Sequence, residues 1–136
     1  MVEISVTYEG DFRCLSTHAP SGAVLSTDAP RDNLGKGEAF SPTDLAATSL
    51  AVCMLTTMAI VVQKKSLPVD LGGLTAKVRK HMTEAAPRRI ARIEVEISLS
   101  EAPSHREVLT QAALNCPVSL SLHPEVEQAV TFVWTK

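Results

Sequence analysis

The pattern of apolar and polar positions changes period several times along the chain. Val2, Ile4, Val6 and Tyr8 alternate with Glu3, Ser5 and Thr7, which predicts a half-buried strand. Glu9, Gly10 and Asp11 make a turn. Phe12, Cys14 and Ser16 then share one face of a second strand, with Arg13 on the other. After the turn cluster Ala19 to Gly22, Ala23 to Thr27 reads as a third strand, so the opening is a three-stranded antiparallel meander. From Asp28 to Phe40, glycine, proline, asparagine and charge dominate; this is a surface loop, long enough to point to function.

At Ser41 the period shifts to that of a helix running to Lys65. Ser41 suits the N-cap, Pro42 the first helical position, and Asp44 the third, with a negative charge at the positive end of the dipole. Between Asp44 and Lys64 no residue is charged, and Leu45, Leu50, Val52, Met54, Leu55, Met58, Ile60, Val61 and Val62 surround the axis. A helix apolar all round is a core helix or a membrane span. The uncharged run approaches the roughly 20 residues a span needs. It is diluted by Thr48, Ser49, Thr56 and Thr57 and lies between strand-like segments, so a central helix wrapped by sheet is the better reading, with no membrane partner. One small sheet covers one side, which argues for a partner subunit.

Leu67 and Pro68 stop that helix. Leu74, Ala76 and Val78 alternate in a strand; Glu84 to Pro87 turn; Ile93, Val95, Ile97 and Leu99 alternate in another, so the two form a hairpin ended by Ala102 and Pro103. Ser104 caps a helix to Leu114 with Glu107 at its third position, and Asn115 is its C-cap. Cys116 precedes Pro117 and a short helix from Val118 to Leu122, and Val130, Phe132 and Trp134 mark a last strand.

With 136 residues the chain is expected to be one domain spanning 1–136, of α+β class. A net charge of −2 gives no electrostatic footprint for nucleic acid, and 4% aromatic residues provide no stacking platform. The N-terminal MVEISVTYEG lacks the features of a signal peptide, so the cytoplasm is the expected location. Three cysteines, widely spaced, form neither a secreted disulfide framework nor a zinc pattern, and attention shifts to thiol chemistry.

Cys53, mid-helix, reads on periodicity as a small core residue; reactivity would need a nearby cation to favour the thiolate. Cys116, ahead of a helix N-terminus, has free backbone N–H groups and a dipole that favour the thiolate. Cys14 reads as core. From pattern alone Arg13 is an ordinary solvent-facing arginine, Asp44 is explained by capping, and Glu38, in the loop before the helix, is open to either a structural or a site role. His18, His81, His105 and His123 show no metal-ligand spacing, and no phosphate loop, nucleophile elbow or dinucleotide fingerprint is present.

The stretch GKGEAFSPTDLAATSLAVCMLTTM (35–58) resembles the OsmC/Ohr family of osmotically induced and organic hydroperoxide resistance proteins. Three more segments agree in order: EGDFRC with THAPSGAVLSTDAP, RKHMTEAAPRRIARIEVEI, and NCPVSLSLHPEV. The resemblance implies an α+β fold in which antiparallel sheets wrap long central helices in an intertwined homodimer. It also implies a thiol peroxidase, with Cys53 attacking the peroxide, Cys116 resolving the product to a disulfide, and Arg13 holding Cys53 as a thiolate from about 4–6 Å. The reductant would be an external dithiol or lipoyl-type thiol, with no metal or organic cofactor. An apolar pocket including Leu50 and Met54 would favour organic peroxides. Where hydroperoxide-resistance members carry a glutamate that orients the arginine, this chain has Thr43, so either Asp44 or Glu38 would take over or the arginine is held differently; the sequence is closer to the OsmC-like branch. Two alternatives stand beside the peroxidase: a non-catalytic dimeric module binding a small lipophilic ligand, and a thiol redox sensor.

Overall fold

Ser41 and Asp44 close the capping box at the head of the longest element. The Ser41 Oγ accepts the Asp44 N–H at 3.1 Å, and the Asp44 carboxylate accepts the Ser41 N–H at 2.9 Å. Helix α1 follows as Pro42–Lys64. It ends before Leu67: Ser66 turns left-handed (φ 50°), its N–H donates to the Gln63 carbonyl, and the Leu67 N–H donates back to the Val62 carbonyl. Those two bonds satisfy carbonyls the helix would leave open. This computed structural model describes residues 1–101 and 103–135.

The chain divides into two compact units, Met1–Ala46 and Ala47–Lys136. The first holds an antiparallel meander in the order β1 (Ile4–Gly10), β2 (Arg13–His18) and β3 (Val24–Asp28), as the alternation predicts. Two details differ. Phe12 belongs to the β1–β2 turn, where Asp11 and Phe12 both have positive φ (51° and 63°), the turn that matches the strands' twist. And β1 is not half-buried within the chain: Ile4, Val6 and Tyr8 are 59%, 64% and 64% exposed. Segment 28–40 is a closed loop. The Asp28 N–H donates to the Phe40 carbonyl and the Gly37 N–H to the Ala29 carbonyl, around a short 3₁₀ turn at Arg31–Asn33. Gly35 sits directly against the Ala29 carbonyl, where a side chain would collide.

The second unit holds β4 (Thr75–Met82), β5 (Ile90–Leu99), α2 (Pro103–Leu114), α3 (Pro117–Ser121) and β6 (Glu127–Trp134). Strands β4 and β5 form the expected antiparallel hairpin, but β6 runs parallel to β5, reached by a crossover through α2 and α3. The sheet is therefore mixed where the sequence reading expected antiparallel strands. Helix α2 starts at Pro103, so Ser104 lies inside it and is not its cap; Ala102, the expected end of the hairpin, lies outside the described residues. The core joins Leu50, Met54 and Met58 of α1, one residue per turn, to Ile93, Val95, Ile97 and Leu99 of β5 and to Leu109, Ala112 and Ala113 of α2. By length and composition α1 could cross a membrane. It buries one stripe in this core and leaves Val52 and Ile60 exposed on its other side. The α+β class expected from the sequence is the class observed.

Candidate functional site: a thiol pair and a tethered arginine

In the second unit, α1 carries Cys53 half-buried, with its Sγ 4.0 Å from the Thr57 hydroxyl one turn on. Cys116 is fully buried. Pro117 at the first position of α3 leaves Cys116 as N-cap with extended backbone (φ −68°, ψ 151°), and its sulfur accepts the Ser119 N–H at 3.5 Å. The fold brings the two cysteines together: the Cys53 side chain lies close enough to that of Cys116 to act on its titration, and both are free thiols. Some sixty residues of sequence separate them, and their contact was not readable from spacing.

The electrostatics at Cys116 correct the sequence reading. The N–H groups of Ser119 and Val118 do favour its thiolate, but burial outweighs them, and Cys53 beside it pushes in the same direction as burial. The thiol is therefore raised above its ordinary 9.0 and stays protonated at neutral pH. A neutral, hydrogen-bearing Cys116 suits a group that condenses with an oxidised partner, and does not suit a first nucleophile. Leu50 and Met54, expected to line a pocket, have no exposed surface and belong to the core.

In the first unit, Arg13 opens β2 and Asp28 closes β3, opposite each other in the strand register. The Arg13 guanidinium donates to the Glu38 carboxylate at 3.0 Å and lies 3.6 Å from that of Asp28. The Asp28 oxygen facing it, Oδ2, also accepts the Glu38 N–H at 3.0 Å. One buried oxygen thus tethers both the arginine and the loop residue that binds it. Of the two carboxylates the sequence offered, Glu38 holds Arg13, while Asp44 is engaged by Ser41 in the capping box. Asp28 was missed; the signal was its place opposite Arg13, readable only once the register of the meander is known.

Cys14 sits on β2 between Tyr8 and Thr27, half-buried. Each histidine has a local partner: His18 with Ser21, His81 with Glu94, His105 with Glu101, and His123 with the Glu125 N–H. Among the described residues no three histidine, cysteine or acidic side chains cluster as metal ligands would.

The profile of the OsmC-like protein family matches residues 35–130. A protein from Psychrobacter arcticus, described as an osmotic stress induced and detoxification response protein, is 42% identical over 98% of this chain and 96% of its own, with a TM-score of 0.89. Two relatives at the level of fold are an organic hydroperoxide resistance protein OsmC from Legionella pneumophila (14% identity, TM-score 0.77, 97% and 96% of the two chains) and the organic hydroperoxide resistance protein OhrB of Bacillus subtilis (13%, 0.71, 98% and 98%). Comparison with curated proteins found no match. With the family profile over most of its length and a relative 42% identical along nearly all of it, the chain belongs to the OsmC family.

Proposed function

We propose that this protein is a thiol-dependent hydroperoxide reductase that works as a homodimer in the cytoplasm. The Cys53 thiolate attacks the distal oxygen of a hydroperoxide; the O–O bond breaks, the alkoxide leaves as alcohol after taking a proton, and Cys53 becomes a sulfenic acid. The protonated Cys116 thiol condenses with it, forming the Cys53–Cys116 disulfide and releasing water. A dithiol or lipoyl-type reductant gives two electrons and two protons to restore both thiols. Glu38 and Asp28 hold Arg13, the cation assigned here to favour the thiolate.

The observation that carries this reading is the contact between Cys116 and Cys53, a neutral buried thiol against a half-buried one. The organic hydroperoxide resistance proteins that share the fold point the same way. The test is to add one equivalent of cumene hydroperoxide, with hydrogen peroxide in parallel, to reduced protein and to follow intact mass and peptide maps. A rapid loss of two protons mapped to Cys53–Cys116 is expected. Cys53→Ser abolishes it, and Cys116→Ser accumulates a trappable sulfenic acid. No oxidation at either cysteine within minutes would sink the peroxidase.

A further inference from the structure

Cys116 is seated by a helix too short to hold itself. Helix α3 has five residues, none of them fully buried, and Leu120 is 71% exposed. A helix of that length has no stability of its own, since nucleation costs more than one turn returns. Val118 and Leu122 pack part-buried against the core, which holds the far side of the turn. On the Cys116 side the tie is polar and comes from β6. The Ser119 hydroxyl donates to the Gln128 side-chain oxygen at 2.6 Å, and the Gln128 amide nitrogen donates to the Ser119 carbonyl at 3.0 Å. The same hydroxyl lies 3.3 Å from the Leu114 carbonyl at the end of α2. Both Ser119 and Gln128 are part-buried, where such bonds compete less with water. And it is the Ser119 N–H that donates to the Cys116 sulfur.

We propose that Gln128 is a positioning residue for Cys116: by clamping Ser119 at both its hydroxyl and its carbonyl, it holds the first turn of α3 so that the Cys116 sulfur stays turned toward Cys53. Its effect is on effective concentration. A thiol held against its partner forms the disulfide more readily than one on a frayed turn, because less freedom is lost on closing the bond. The proposal rests on the reading of Cys53 and Cys116 as an exchanging pair, not on the oxidant.

The experiment therefore uses no peroxide. The full-length protein is equilibrated with mixtures of reduced and oxidised dithiothreitol, quenched in acid, and the Cys53–Cys116 disulfide is quantified by mass. In this exchange two protein thiols lose two electrons and two protons to the oxidised reagent. Gln128→Met, which keeps length and loses both polar atoms, is expected to lower the equilibrium constant about tenfold, the scale of one or two net hydrogen bonds, equivalent to about 30 mV. Ser119→Ala leaves Gln128 in place and reads the same contact should Gln128→Met fail to fold. The double variant falls by less than the sum of the two single losses, because the hydroxyl–Gln128 bond lost in Ser119→Ala is already lost in Gln128→Met. Values within about twofold of wild type, or additive losses in the double variant, overturn the clamp, as does a wild-type protein that forms no such disulfide in the oxidised reagent. A wild-type protein that titrates here but does not react with cumene hydroperoxide loses the peroxidase reading and keeps the clamp.

Discussion

Arg13 is bound by two carboxylates of opposite exposure, and that contrast decides which one matters. The Glu38 side chain is 57% exposed, so its pair with Arg13 is screened by water and salt. The Asp28 side chain has no exposed surface, one of its oxygens has no hydrogen-bond partner, and the other serves both Arg13 and the Glu38 N–H. Removing Glu38 costs a surface pair; removing Asp28 leaves a loop N–H unsatisfied and the arginine without its fixed neighbour. Asp28→Ala is expected to lower stability by about 2 kcal/mol, against about 0.5 kcal/mol for Glu38→Gln, in urea unfolding; equal losses would show that the buried oxygen is not the tether. At this scale the sequence was legible where a residue's role is local. Ser41, Asp44 and the capping position of Cys116 follow from neighbours in the chain. Asp28 did not, because its partner lies across a strand pairing, and the protonation of Cys116 did not, because it depends on burial that no local pattern records.

Helix α3 joins capping to titration at the level of the element. Its cap is a sulfur held protonated chiefly by burial. The native state therefore keeps a proton that the unfolded chain releases near the ordinary value of 9.0. The associated stability is complete below that pH and is lost as pH rises from there through the higher folded value, because the unfolded state then binds fewer protons than the native one. Urea midpoints of the wild type are expected to fall between pH about 8 and about 10 more steeply than those of Cys116→Ala; parallel slopes would mean the thiol titrates alike in both states. Element type was well marked in the sequence: alternation gave β5 and its buried face, and the uncharged run gave α1. Direction was not, since alternation in β6 says which side chains share a face and nothing about whether the strand runs with or against its neighbour. The start of α2 at Pro103 turned on the preference of proline for the first helical position over serine as a cap.

Among the described residues of the whole molecule, every fully buried apolar side chain lies in the second unit; the buried residues of the first are Thr27, Asp28 and Ser41. A three-stranded meander with an apolar face of Ile4, Val6 and Tyr8 open to water needs a cover, and the exposed side of α1, with Val52 and Ile60, needs one too. A second copy as that cover is the homodimer proposed above. Val6→Glu is then expected to shift sedimentation at micromolar concentration from dimer to monomer; a wild type that sediments as a monomer would remove the dimer. The apolar surround of α1 was legible in the sequence, whereas the open face of β1 was not, since alternation predicts a buried face without saying what buries it. The parallel pairing of β5 with β6 has a consequence for the order of assembly. An antiparallel neighbour can zip up from its turn, as β4 and β5 can, but β6 finds its place only after the chain has crossed over through α2 and α3. Gln128 comes with β6, so the clamp on Ser119 closes only once that strand has docked.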